Sequence, residues 1–386
     1  MGAAGVMANI RVLDFTEWLP GPYASKMLAA LGADVVKVER PGTGDPARKA
    51  RPAMFRSQNE GKKSISLDLK SPAGAERARR LADAADVLLE GYRPGVMSRL
   101  GLGYETLAES NPGLIYVSLS GYGGEGPYRD RPGHDLNYLA LAGALPAPTA
   151  GEAAAYRETP LPIADLSGGL FAVIGVLTAV LARSQGQARG HRLDLAIADC
   201  TLSLMQPRLA EAAAWQDTEA WHERPGYGIF ETADARFVVL GAMEDHFWRR
   251  LVAALEMPEF DQPGFETYSQ RRAHFAAIDD ALRRRIAELA LDSVLTRLTE
   301  ADVPANAVNG MLDPLRDEHF RARGMIVPGA DGHETVSPWP GALRQFMADG
   351  PLPAAPELVS DDRSWPASWP GADRAPKLVV LRSEED

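Results

Sequence analysis

Ile10-Arg11-Val12-Leu13-Asp14-Phe15, then Tyr23–Leu31, then Val35-Val36-Lys37-Val38-Glu39 open the chain, and in that order they predict strand, helix, strand. Apolar β-branched runs mark the two strands, and the segment between them is longer and helical in its composition. The alternation continues through Ser64–Leu69 (strand), Ala73–Ala85 (helix), Val87–Tyr92 (strand) and Leu114–Ser120 (strand). Such a β–α–β series predicts a Rossmann-like α/β fold, a parallel sheet with helices on both faces. The loop after the first strand, Thr16–Pro22, has no Gly-x-Gly-x-x-Gly, so the expected fold carries no dinucleotide fingerprint.

Downstream, Leu166–Arg183 reads as a buried helix stopping at Ser184-Gln185-Gly186, and Arg192–Ile197 as a further strand. The polar, aromatic stretch Gln216–Tyr227 is the expected domain boundary. Beyond it, Gly228–Ala242 predicts a hairpin around Ala233-Asp234. Helices follow at His246–Leu255, Arg272–Ala290 and Leu291–Glu300. The expected division is a large α/β domain from 1–215 and 326–386, a linker at 216–227 and a smaller α+β domain at 228–325. The Pro- and Gly-rich end, with Trp-Pro steps at Trp339, Trp365 and Trp369, predicts an irregular wrap over the first domain.

A chain of 386 residues has room for two domains. Its formal charge of −11 argues against general nucleic-acid binding, which needs a basic face. Cys200 is the single cysteine, which excludes an intrachain disulfide and fits a reducing, cytoplasmic setting. It lies in an apolar stretch and reads as core. Met1–Ile10 shows neither part of a signal peptide, and Val6 stands where a myristoylation signal needs Ser or Thr. Leu170–Leu181 reads as too short and too glycine-punctuated to span a membrane. No His spacing suggests a metal site.

Two motifs carry chemistry: Gly133-His134-Asp135-Leu136-Asn137-Tyr138, and Pro162-Ile163-Ala164-Asp165-Leu166-Ser167-Gly168-Gly169. They supply an imidazole and a carboxylate. Asp165 opens a helix, whose free N–H groups and positive end are expected to favour its ionised form. Gly168 and Gly169 are expected to let a substrate carbonyl approach the backbone. Asp135 reads as a hydrogen-bonding support. Met205, Trp215, Trp221 and Phe230 are open between acyl pocket and core.

These residues resemble the family III CoA transferases, whose relatives include formyl-CoA transferase and α-methylacyl-CoA racemase. The landmarks are Leu13-Asp14 with Gly21-Pro22, Leu31 to Gly42, Ser64 to Lys70, Glu90 to Gly95, Leu100 to Gly103, the His134 motif, Asp165 and Tyr227–Phe247. His134 and Gly241-Ala242-Met243-Glu244 point to the racemase branch, although Leu161 stands where racemases carry Asn. The resemblance implies that CoA, as part of the substrate and not as a prosthetic group, lies against Arg40, Leu67, Lys70, Gly91, Tyr92, Arg93, Arg99 and Leu100. It implies that Glu244 pairs with His134, within one chain or across an interlocked homodimer.

Two chemistries follow. Racemisation of a 2-methylacyl-CoA removes the α-hydrogen to give an enolate, with His134 and Asp165 as base and acid on opposite faces. CoA transfer between carboxylic acids would instead use Asp165 as a nucleophile. The expected main activity is racemase or epimerase, the alternative transferase. CoA binding without turnover is the third reading. An acyl-CoA substrate is the expected partner, without nucleic acid, membrane or metal.

Overall fold

The computed structural model describes residues 5–145, 160–187, 189–215, 223–330 and 332–359. Two compact units emerge, one from Met1–Pro207 with Glu318–Asp386 and one from Arg208–Asp317. Most of the expected linker at 216–227 lies outside the described residues, as do Trp221, Trp365 and Trp369.

The first unit holds a six-stranded sheet. Its strands are β1 (Arg11–Phe15), β2 (Asp34–Glu39), β3 (Lys63–Ser66), β4 (Val87–Glu90), β5 (Ile115–Ser120) and β6 (His191–Ala196). All neighbours are parallel, in the order β3-β2-β1-β4-β5-β6. Both faces of β1, β2, β4 and β5 are buried, so these strands read as near-continuous apolar runs. Side chains alternate between two cores. Val12, Val35, Leu89 and Val117 pack with the helices Pro20–Ala30 and Ile163–Ser184. Leu13, Val36, Leu88 and Tyr116 pack on the opposite face with Leu81 and Ala82 of helix Pro72–Ala84 and with Leu107. Proline at the first position of helices Pro20–Ala30 and Pro72–Ala84 sets their starting φ without losing a needed donor, and Ser71 Oγ accepts from Gly74 N–H at 3.0 Å.

The long helix Ile163–Ser184 has 22 residues, longer than the expected apolar run. By length and composition alone it could cross a membrane, with a mean hydropathy of 1.9. In the fold it covers the sheet: Ala164, Ser167, Gly168, Gly169, Ala172, Val173, Val176 and Ala179 are buried. A β-carbon on Gly169 would stand 2.7 Å from the Pro20 carbonyl oxygen, and one on Gly168 would stand 2.9 Å from Ile197 Cγ1. These glycines therefore admit a neighbouring helix and Ile197, which corrects their expected role in admitting a substrate carbonyl.

Several elements differ from the sequence reading. Helices Ala47–Ala50, Pro52–Asn59, Val96–Arg99, Tyr104–Ser110, Asp135–Leu141 and Ile197–Trp215 were not expected, the last with Pro207 inside it. Past Met325 the chain forms the hairpin β10 (Ile326–Pro328) with β11 (Glu334–Val336), then returns over the first unit. Trp339 Nε1 donates to the Met27 carbonyl at 3.0 Å and Gly61 N–H to Pro353 O at 2.7 Å.

In the second unit, β7 (Tyr227–Glu231) and β8 (Phe237–Gly241) form the expected hairpin, and β9 (Ala305–Ala307) adds antiparallel to β8. The expected single helix Arg272–Ala290 is two, Tyr268–Arg272 and Phe275–Ala287. Phe230 is buried in this unit's core with Trp248, Leu251 and Leu282, which settles it as core.

Candidate active site

In doubly wound sheets, ligands bind beyond the carboxyl ends of the strands where the chain reverses its direction of winding. Here that point lies between β1 and β4. A cleft of about 1350 Å³ opens there. The β1 exit from Phe15 to Gly21, the β4 exit from Gly91 to Pro94 and the β5 exit from Leu119 to Tyr122 line it. His134, Asp135, Tyr138 and Asp165 share it.

Asp165 is the third residue of helix Ile163–Ser184, and the helix cap is not its work. Asp135, 30 residues earlier, reaches across: its Oδ1 accepts from Ala164 N–H at 2.8 Å and from Asp165 N–H at 3.0 Å. Leu166 N–H already bonds to Pro162 O. Asp135 thus takes the Ala164 and Asp165 donors at the helix start, which corrects the expected stabilisation of ionised Asp165 by that terminus. Among the described residues, no hydrogen bond reaches the half-buried Asp165 carboxylate. Burial, followed by the neighbouring Asp135 charge, pushes Asp165 up to about 7.

His134 is exposed at the start of helix Asp135–Leu141, where its N–H donates to Asn137 Oδ1 at 2.9 Å. Tyr138 stacks edge-on against Tyr122 at 5.3 Å. Burial, then the Asp165 charge, raises its phenol above the usual range. Gly121 makes room for it, since a β-carbon there would stand 2.4 Å from Tyr138 Oη.

A buried ionic lattice holds the β1 exit. Asp14, Lys37 and Lys62 have fully buried side chains. Asp14 accepts from Thr16 N–H at 2.9 Å and Ser25 Oγ at 2.6 Å, and pairs with Lys62 at 3.3 Å. Lys37 pairs with Asp45 at 3.0 Å and donates to Thr16 O, while Lys62 donates to Pro22 O at 3.0 Å. Both ends of the Thr16–Pro22 loop are therefore pinned from beneath. Between them Trp18 adopts φ +67°, a left-handed conformation rare for a bulky residue, with its N–H on Asp45 Oδ1.

The residues expected to meet CoA fall into three groups. Gly91, Tyr92 and Arg93 line the cleft, and burial, then Glu17, pushes Tyr92 up to about 12. Arg40 makes a forked pair with Glu17, at 2.8 and 3.0 Å through Nη2, so its guanidinium is occupied. Leu67 is buried in the sheet core and Leu100 packs against it, so neither offers a free side chain. Lys70 is exposed next to Asp68. Arg99 is exposed, with its Nη1 3.4 Å from the β-position of Gly95, and Nη2 of Arg129 is 3.6 Å from the same point. Arg129 was not singled out in the sequence, nor were Arg51 and Arg131, which also line the cleft. Arg51, Arg93, Arg99, Arg129 and Arg131 make no ion pair among the described residues, unlike Arg40 and Arg48. The cleft is thus well furnished to hold a phosphate-rich, carboxylate-bearing ligand.

Glu244 belongs to the second unit, exposed at the N-cap of helix Asp245–Ala254. Fully buried Arg271 donates to Met243 O at 2.6 Å and pairs with Asp245 at 2.9 Å, fixing the backbone on either side of it.

The comparisons agree with this architecture. A model of the CoA-transferase family III matches residues 7–361. The chain is 34% identical over 335 residues to a succinyl-CoA–D-citramalate CoA-transferase of Chloroflexus aurantiacus, covering 83% of this chain and 82% of that protein. It is 34% identical over 372 residues to a succinyl-CoA:mesaconate CoA-transferase of Haloarcula hispanica, covering 89% and 91%. A CAIB/BAIF family protein from Brucella suis superposes with a TM-score of 0.81 at 27% identity, over 95% of this chain and 100% of that one. These relatives favour the transferase alternative over the racemase expectation, and the likeness to racemases in particular is not among them. The chain is an enzyme and a member of CoA-transferase family III.

Proposed function

We propose that this enzyme transfers CoA between carboxylic acids through a covalent intermediate on Asp165. One observation carries the reading: the cleft at the sheet's switch point presents a carboxylate that no described donor holds, of raised basicity, among unpaired arginines. The curated relatives named for CoA transfer support it. Asp165 attacks the thioester carbonyl, releasing the CoA thiolate and forming a mixed anhydride. The thiolate then attacks the aspartyl carbonyl, giving an aspartyl-CoA thioester and freeing the donor acid. The acceptor carboxylate reverses both steps. No prosthetic group or metal enters, and CoA comes and goes as substrate. The racemase reading retains one supporting observation, that His134 shares the cleft with Asp165. Incubation with chiral 2-methylacyl-CoA in heavy water separates the two: transfer needs an acceptor and leaves C2 unexchanged, whereas racemisation exchanges C2 without one.

In this reading Arg99 and Arg129 hold CoA phosphates. Arg99→Ala is expected to raise KM for acyl-CoA about tenfold with kcat little changed, since the contact is made equally in ground and transition states. The effect should vanish with a pantetheine thioester. An equal loss with both substrates would make Arg99 structural.

The proposal includes a homodimer in a reducing cytoplasm, free of membrane and nucleic acid. Its support is a stripe of exposed apolar side chains on helix Ile163–Ser184: Leu170 at 40%, Ile174 at 55% and Leu181 at 57% exposure. Positions four and eleven apart fall on one helix face. A dimer of standard interface size or larger would cover it. Sedimentation in detergent-free buffer should give twice the chain mass; a stable monomer, or a need for detergent, would overturn this.

A further inference from the structure

Asp165 stands at a position from which a carboxylate can fold back onto the first N–H groups of its own helix. A carboxylate so capped is stabilised as an anion and is correspondingly a poorer nucleophile. The chain avoids this by a tertiary contact. Asp135 is 8% exposed, and its Oδ1 takes both the Ala164 and the Asp165 N–H groups. Asp135 is itself the first residue of helix Asp135–Leu141, which packs on helix Ile163–Ser184. One carboxylate thus does the capping and leaves the other to the cleft.

We propose that Asp135 is a positioning residue for acyl transfer: it occupies the Ala164 and Asp165 donors at the start of helix Ile163–Ser184, so that the Asp165 carboxylate stays uncapped and available to attack the thioester. The inference rests on the transferase reading given above. Asp135 touches no reacting atom; it acts through Asp165 in two separable ways. Its oxygen fills the donor positions, and its charge disfavours the Asp165 anion, adding to the effect of burial.

Two variants separate these roles. Asp135→Asn keeps an oxygen acceptor but removes the charge. Asp135→Ala removes both, and Asp165 can then turn onto the vacated N–H groups. The other ionisable groups lining the cleft are the same in every variant. Arg51, Arg93, Arg129, Arg131 and Tyr122 are common to all of them, and burial holds the Tyr92 and Tyr138 phenols above their usual range. Glu17 and His134 also line the cleft and are common to every variant, so a difference between variant and wild type cancels their contribution.

The experiment uses the full chain with a donor acyl-CoA and a carboxylate acceptor, measuring kcat and KM against pH and the hydroxylamine-trapped adduct at Asp165. Asp135→Asn should move the acid limb of kcat to lower pH, with KM changed less than about threefold. Asp135→Ala should lower kcat on the order of a hundredfold at pH 7, with the trapped adduct forming correspondingly more slowly. Asp135→Asn should recover most of that loss. A purely structural role would lower the melting temperature and leave the acid limb where it is. An unshifted limb in Asp135→Asn, or kcat within about threefold of wild type in Asp135→Ala, would overturn the inference. If Asp135→Ala does not fold, the limb in Asp135→Asn decides alone. Failure of the transferase reading looks different: wild type itself would then give neither transfer nor an Asp165 adduct.

Discussion

Asp165→Asn is expected to abolish CoA transfer, lowering kcat on the order of 10³-fold or more while leaving KM for acyl-CoA within a few-fold. The amide cannot form the anhydride, and the remaining cleft still binds the thioester through residues on other loops. Wild-type activity should also fall as pH drops through about 7, where burial and the Asp135 charge place the Asp165 titration. The sign follows from the chemistry: the anion is the nucleophile, and a raised Asp165 is protonated below that pH. Steady-state kinetics from pH 5.5 to 8.5 on both proteins, about the span over which such a limb resolves, would check this. An acid limb near the ordinary carboxylate range, or substantial transfer by Asp165→Asn, would contradict it.

The second large effect concerns the lattice beneath the cleft. Asp14→Asn is expected to destabilise the protein by about 3–5 kcal/mol, because it leaves the buried Lys62 ammonium without its anion. Burial alone would raise Asp14, but Lys62 and Lys37, with the Ser25 and Thr16 hydroxyls, outweigh it and hold the carboxyl at about 2. A carboxyl depressed from 3.8 to about 2 contributes stability that is fully present at neutral pH and is lost as pH falls through about 2. The variant should lack that acid-dependent loss. Lys62, lowered by burial and supported by Asp14, should titrate lower still. Urea unfolding of both proteins from pH 7 down to about pH 2 tests this; a difference under about 1 kcal/mol at pH 7 would show that the lattice adds little.

The parallel sheet was readable because its inner strands β1, β2, β4 and β5 are largely apolar on both faces. Val12-Leu13, Val35-Val36 and Leu88-Leu89 each send one side chain to each core. β9 was not readable: Ala305-Asn306-Ala307 has no pattern of its own and is a strand only because β8 is beside it. Helix Ile197–Trp215 was hidden by an internal proline and by a preceding strand that runs straight into it. The site divides in the same way. His134 and Asp165 were named from local motifs, and both line one cleft. The cap from Asp135 joins residues 30 apart, and no local spacing announces it. Lys37 did leave a sign, a lysine amid Val35, Val36 and Val38 in a strand buried on both faces, which demands a buried counter-charge. Gly168 and Gly169 were misread because a glycine pair beside a catalytic candidate looks the same whether a substrate or another helix approaches it.

The central claim is that Asp165 forms a bond to carbon and exchanges an oxygen in each catalytic cycle. The donor acid leaves with an oxygen that came from Asp165, and the acceptor leaves one of its own behind. Turnover with an acceptor carboxylate labelled with heavy oxygen, followed by mass spectrometry of the peptide that carries Asp165, reads this directly. The account predicts label in the Asp165 carboxylate only when donor acyl-CoA is also present, and none in that peptide from Asp165→Asn. Acceptor-dependent formation of the new acyl-CoA with no label reaching Asp165 would contradict it.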